Sequence, residues 1–159
     1  MKPTFTALSN NYSSNRFISQ EELYKEIGWN DLIGRAAYAN TCAIRVSLAL
    51  VKSGINVRGR IAIKKGPHKG KLIEPGQAKL SHMLAGTAFL GAPEKFKTAD
   101  ADKGISRRRG VVSFWKVPGY LNDNGGHIDL VSPALGGIRV CGSNCYWSPC
   151  ACGRAVPGR

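Results

Sequence analysis

The sequence predicts an α+β fold in a single domain, with helices in its N-terminal part and an antiparallel meander of strands after them. Three observations carry this reading. A chain of 159 residues is long enough to bury one core and short for two. Two segments in the first third, near 20–27 and 42–51, repeat their apolar residues at helical spacing. Three short β-rich runs, near 111–117, 127–131 and 138–141, are separated by Gly, Pro and Asn turns. Helices first and strands after is the α+β order rather than the alternation of a parallel α/β sheet.

The elements follow in chain order. Residues 1–18 are polar and rich in Asn and Ser, and predict a loosely ordered segment. Ser19-Gln20-Glu21-Glu22 is a capping box: the Ser19 hydroxyl caps a helix start and the Glu22 carboxylate reaches back. Leu23 and Ile27 follow at helical spacing, and Gly28 stops the helix. Residues 29–39 hold a patch of small side chains and read as a loop or short helix. Asn40 or Thr41 offers an N-cap. From Ala43 to Val51 the chain is apolar almost all round, which predicts a buried helix ended by Gly54, with Cys42 in its first turn.

Residues 57–75 are basic and turn at Gly66-Pro67-His68-Lys69-Gly70 between two apolar runs, a hairpin pattern. Gln77–Leu84 reads as a short helix, and 91–110 as a charged loop ending in Arg107-Arg108-Arg109-Gly110. The run 111–117 is a strand stopped by Pro118-Gly119. Asp123-Asn124-Gly125-Gly126 turns into the strand 127–131, and residues 133–137 turn into the strand 138–141.

Lys and Arg number 23 against 10 Asp and Glu, a net charge of +13 and a pI near 9.9. Such a surface attracts polyanions or an acidic partner without saying which. There is no run of 18 or more apolar residues, so no membrane-inserted helix is expected. The N-terminus has no apolar stretch of useful length, so no cleaved secretory signal is expected.

The five cysteines divide one against four. Cys42 stands alone, while Cys141, Cys145, Cys150 and Cys152 crowd into the C-terminal end. Four thiolates suit a tetrahedral zinc site, but the single residue between Cys150 and Cys152 is a poor zinc spacing. A disulfide between Cys141 and Cys145 is the other reading, and needs an oxidising compartment reached without a signal peptide.

Cys42 is a candidate nucleophile. Unpaired N–H groups and the positive end of a helix favour thiolate over thiol. The plainer reading is a small buried hydrophobe. Arg45, one turn later, opposes the helix dipole. It either supports the thiolate, grips a substrate carboxylate, or takes its head to solvent or a local acid. Of three histidines, His68 lies in the Lys-rich turn and His82 on a short helix, whereas His127 opens a strand after two glycines that leave room for a substrate. His127 is therefore the candidate base. Asp129 shares its strand face and is the candidate orienting group, with Ser143 and Asn144 as alternatives.

Asn40-Thr41-Cys42-Ala43-Ile44-Arg45-Val46-Ser47, followed by Gly126-His127-Ile128-Asp129-Leu130, resembles the fourth family of type VI secretion amidase effectors. These are bacterial toxins of NlpC-like, papain-type cysteine peptidase fold. The resemblance covers roughly residues 20–145 and is most specific in the Cys, Arg and Ser spacing. A single catalytic domain over 1–159 is expected, with no cofactor or metal. The resemblance implies a papain-type amidase. It implies hydrolysis of the amide between D-glutamate and meso-diaminopimelate in the peptidoglycan stem. The partners implied are that stem peptide, the secretion machinery and a cognate immunity protein, with delivery into a rival's periplasm. Cys42 matches the nucleophile, His127 the base, and Cys141 with Cys145 a disulfide-bonded loop beside the site. Members can carry an Asp inside that loop, where this chain has Gly142-Ser143-Asn144. The third catalytic residue is therefore Asp129 or Asn144, or the enzyme works as a dyad. The tail 146–159 departs from the family's aromatic-rich strand.

Two other functions fit the same residues. The charge and the arginine triplet suit a nucleic-acid-binding domain with a C-terminal cysteine cluster. A papain-type toxin acting on protein substrates would keep the same site.

Overall fold

The computed structural model describes residues 2–134 and 139–146. Most of the turn expected at 133–137, most of the unusual tail, and Cys150 and Cys152 lie outside the described residues.

The first segment corrects the expectation of loose order. Helix α1 spans Phe5–Asn10 and begins at Thr4, whose hydroxyl accepts the Ala7 N–H at 3.1 Å. Leu8 is buried, and the Asn11 side-chain amide donates to Ser53 Oγ at 3.1 Å. An Asn/Ser-rich composition looks unstructured when no local partner is visible. Here the partners are distant in sequence.

Helix α2, Gln20–Ile27, forms as its capping box dictates. Ser19 Oγ accepts from the Glu22 N–H at 3.2 Å, and the Ser19 N–H donates to Glu22 at 2.8 Å. Leu23, Tyr24 and Ile27 face the core. Two short 3-10 turns, Asn30–Leu32 and Ala36–Tyr38, carry the chain to helix α3, Cys42–Lys52. Every residue from Cys42 to Val51 is buried. Ile44, Val46, Leu48 and Leu50 each contribute about 1.5–3 kcal/mol by that burial, so α3 is the central post of the fold.

The basic segment forms the expected hairpin, with β1 (Ile61–Ala62) antiparallel to β2 (Leu72–Ile73). Helix α4 spans Gln77–Leu84 as predicted. The charged loop is not all loop, because helix α5 occupies Thr98–Ile105. It has no side-chain cap and no buried residue, so it lacks the signals by which a helix is read. Phe96 lies against its Gly104, where a Cβ would come within 2.3 Å of the ring.

Strands β3 (Gly110–Phe114), β4 (His127–Pro133) and β5 (Arg139–Cys141) form the expected antiparallel meander with β4 in the middle. Phe114 pairs with His127, Val112 with Asp129, and Val131 with Cys141. Strand β3 stops before Trp115, because Lys116 adopts φ +53° and turns the chain out of the ladder. Ile128 and Leu130 of β4 join the core that α3 fills. The central strand is thereby fixed against the helix that begins with Cys42.

Candidate active site

Cys42 is the first residue of α3, a free thiol that is 6% exposed. Its N–H donates to Asn40 Oδ1 at 3.0 Å. Thr41 sits at the N-cap position but caps nothing, because its hydroxyl accepts from Arg45 Nε at 2.8 Å.

His127 opens β4, and two groups act on its ring. Nε2 lies 3.1 Å from Asp129 Oδ2, and the Cys42 side chain is the second group whose influence raises its pKa. With Nε2 turned to Asp129, Nδ1 is the nitrogen that remains for the sulfur. Phe114 stacks on the imidazole with centroids 6.0 Å apart, and Tyr146 meets it edge-on at 5.2 Å. Burial pushes the His127 pKa down. The hydrogen bonds from Asp129 and Cys42, and the charge at both, outweigh burial and raise it to about 9.

Asp129 is wholly buried, yet every face of its carboxylate is occupied. Oδ1 accepts from Tyr12 Oη and from the Leu130 N–H, each at 2.8 Å. Oδ2 accepts from the Ser143 N–H at 2.7 Å, Ser143 Oγ at 2.8 Å and the Asn144 N–H at 3.1 Å. Burial pushes its carboxyl pKa up. The His127 hydrogen bond and charge and the Ser143 donors more than reverse this, so the group is held below the usual carboxylate range.

Asp129, Ser143 and Asn144 are therefore not rivals for one position. Asp129 touches the imidazole, Ser143 and Asn144 present main-chain N–H groups to Asp129, and Ser143 Oγ stands 3.4 Å from His127 Nε2. These donors belong to the loop closed by the Cys141–Cys145 disulfide. The loop carries no acid of its own, and it wraps the acid of the neighbouring strand. It comes close enough that a Cβ on Gly142 would lie 2.5 Å from the Tyr12 ring and 2.7 Å from Asp129 Oδ1. With Cys141 and Cys145 joined, a four-thiolate zinc site is overturned, since a disulfide offers no thiolate ligands.

The strap that follows α1 ties these parts together. Tyr12 reaches Asp129, Ser14 Oγ donates to the Gly142 carbonyl at 2.5 Å, and Arg16 donates to the Ser143 carbonyl at 3.1 Å. Arg45 belongs to the same frame. It is 2% exposed, and its guanidinium donates to the Ser13 carbonyl at 2.6 Å. That placement keeps the Arg45 head inside the protein and out of solvent. It fastens the strap to the helix.

The room expected at Gly125 and Gly126 is filled by the protein. A Cβ on Gly125 would fall 1.9 Å from the Tyr120 ring, and one on Gly126 would fall 2.2 Å from Gln77 Oε1. His82 packs beside Trp115 at 5.4 Å, and His68 stays in the hairpin turn. Sequence reasoning missed Tyr12, Phe114 and Tyr146. Phe114 carried a faint signal, since it faces His127 across the meander. Tyr12 carried none within a polar segment.

A family model described as type VI secretion system amidase effector protein 4 (Tae4) matches residues 38–146, well over half of the chain. The chain belongs to this family. No curated protein matches it at a significant level. Among solved structures, the Tae4–Tai4 effector–immunity complex from Enterobacter cloacae is similar at TM-score 0.68 and 21% identity, covering 91% of this chain and 86% of that one. The Tae4 effector from Salmonella typhimurium, bound to the Enterobacter cloacae Tai4, gives 0.67 and 16%, over 91% and 86%. Enterobacter cloacae Tae4 alone gives 0.68 and 19%, over 91% and 87%. At these identities the likeness concerns the fold, which is papain/NlpC-like, as the sequence resemblance implied. The Tae4 family assignment makes the chain an amidase effector of type VI secretion, and it places the Cys42 helix and the meander inside the matched region.

Proposed function

We propose that this Tae4-family protein is a cysteine amidase of peptidoglycan stem peptides, with Cys42 as nucleophile, His127 as its proton partner and Asp129 as the group that orients His127. The observation that carries the reading is His127 3.1 Å from a buried, ionised Asp129 while the Cys42 side chain acts on the same ring.

In this mechanism His127 holds the proton of the Cys42 thiol, and the thiolate attacks the scissile carbonyl carbon. A C–S bond forms, and the carbonyl oxygen takes the negative charge beside the Cys42 N–H at the helix start. The C–N bond then breaks as His127 gives its proton to the leaving amine. Water loses a proton to His127, hydrolyses the thioester and restores the thiol. Asp129 stays ionised throughout and keeps Nδ1 turned toward sulfur.

The bond between D-glutamate and meso-diaminopimelate follows from the family resemblance. A net charge of +13 suits a carboxylate-bearing stem and an acidic immunity protein of the Tai4 kind. The disulfide suits action in an oxidising periplasm after delivery into the target cell. The arginine triplet supports a nucleic-acid role less well, since Arg108 pairs with Glu94 and Arg109 lies over the Phe5 ring. Product mass spectrometry on purified muropeptides tests the reading. A new diaminopimelate amino terminus is expected. Intact muropeptides together with cleaved protein substrates would replace the wall with a protein target.

A further inference from the structure

Asn40 stands between the nucleophile and a strained loop. Its Oδ1 accepts the Cys42 N–H at 3.0 Å, and its Nδ2 donates to the Tyr120 hydroxyl at 2.6 Å. The Cys42 N–H can only donate, so the carboxamide oxygen must face it and the nitrogen must face Tyr120. Tyr120 belongs to the loop 117–125, which also closes on itself. The Val117 N–H donates to the Gly125 carbonyl and the Gly125 N–H to the Tyr120 carbonyl, both at 2.9 Å. Within it Leu121, Asn122 and Asp123 adopt successive φ values of +48°, +52° and +61°. Asn and Asp tolerate the left-handed region, but Leu does so only under constraint. The Leu121 side chain is 68% exposed and gains no packing in exchange.

We propose that Asn40 and Tyr120 form a latch on the oxyanion donor, which a substrate carbonyl must displace. This deepens the amidase reading and rests on it. In the free protein the Asn40 carboxamide occupies the N–H that the developing oxyanion needs, and Tyr120 holds the carboxamide there. An incoming carbonyl oxygen takes the N–H from Oδ1, the carboxamide turns away, and the strained loop is released. The exchange is of hydrogen bonds alone. Asn40 is thus a positioning residue, and the loop admits only substrates whose carbonyl reaches the helix start.

The test reads Cys42 directly, as the rate of its alkylation by iodoacetamide on the intact folded protein, followed by the mass of the peptide that carries Cys42, from neutral to alkaline pH. Tyr120→Phe removes the hydroxyl and should speed alkylation about two- to tenfold, the worth of one neutral hydrogen bond. The pH midpoint should stay in place, because neither His127 nor Asp129 is touched. Leu121→Gly relaxes the closed loop and should slow alkylation instead. On muropeptides, Tyr120→Phe should lower KM more than it changes kcat. An unchanged or slower alkylation rate in Tyr120→Phe overturns the latch, as does a shifted midpoint, which would mean that Tyr120 acts through His127. Alkylation needs no hydrolysis, so a protein inactive on every amide leaves this result standing, and an active protein with unaltered alkylation overturns the latch alone.

Discussion

Tyr12 and Asp129 lie 117 positions apart in the chain, and their side chains meet at 2.8 Å. The phenol donates to a carboxylate that has no solvent to fall back on. Tyr12→Phe should therefore cost about 1–3 kcal/mol in a urea unfolding experiment. Asp129 is depressed below its ordinary pKa, so its contribution to stability is present above the unfolded value and is lost as pH falls through the folded one. Removing one donor to the charged form moves that acid loss to higher pH. Acid unfolding of Tyr12→Phe at the wild-type pH would contradict the relationship.

The imidazole predicts the opposite limb. His127 is raised from 6.5 to about 9, so its stabilising contribution is complete below 6.5 and is lost as pH rises through about 9. Thermal unfolding should show a Tm that falls across that window. Hydrolysis should persist to the same alkaline limit, where the protonated ring is lost. Asp129→Asn removes one of the causes of the shift. It should move the alkaline limit toward neutral pH and reduce kcat by about 10²-fold.

Reduction of the disulfide should impair hydrolysis although the proposed nucleophile is a thiol. Without the Cys141–Cys145 bond, the loop no longer holds the Ser143 and Asn144 N–H groups on Asp129. Dithiothreitol should lower kcat by about tenfold, and removal of the reductant under oxidising conditions should restore it. Activation by dithiothreitol in the Cys145→Ser variant as well as the wild type would show that the loop plays no such part.

Arg45 should behave as a structural residue. Arg45→Met strands the Ser13 carbonyl that the guanidinium holds, and should destabilise the protein by about 1–3 kcal/mol. KM for muropeptides should change little in the folded fraction. A KM raised tenfold with unchanged stability would return Arg45 to the substrate.

Legibility in the sequence followed locality. The α2 capping box, the apolar α3, the hairpin turn and the order of the meander are written in short patterns, and each formed where those patterns placed it. Cys42 and His127 could be singled out as candidates because a helix start and a glycine-flanked strand start are local signals. Helix α5 was not legible, because it has no side-chain cap and buries no residue. Nor was the strap around Tyr12, whose partners come from the far end of the chain. Asp129 could be placed on the face of His127 by strand periodicity. That Ser143 and Asn144 would serve it rather than replace it required the closed loop.

The most direct measurement compares wild type with Cys42→Ala on a purified peptidoglycan stem tetrapeptide, counting amide bonds cleaved per unit time by mass. With the sulfur gone no thioester can form, and the rate should fall by at least about 10³-fold while the fold and its unfolding transition persist. Cleavage by Cys42→Ala at the wild-type rate would contradict the account at its centre.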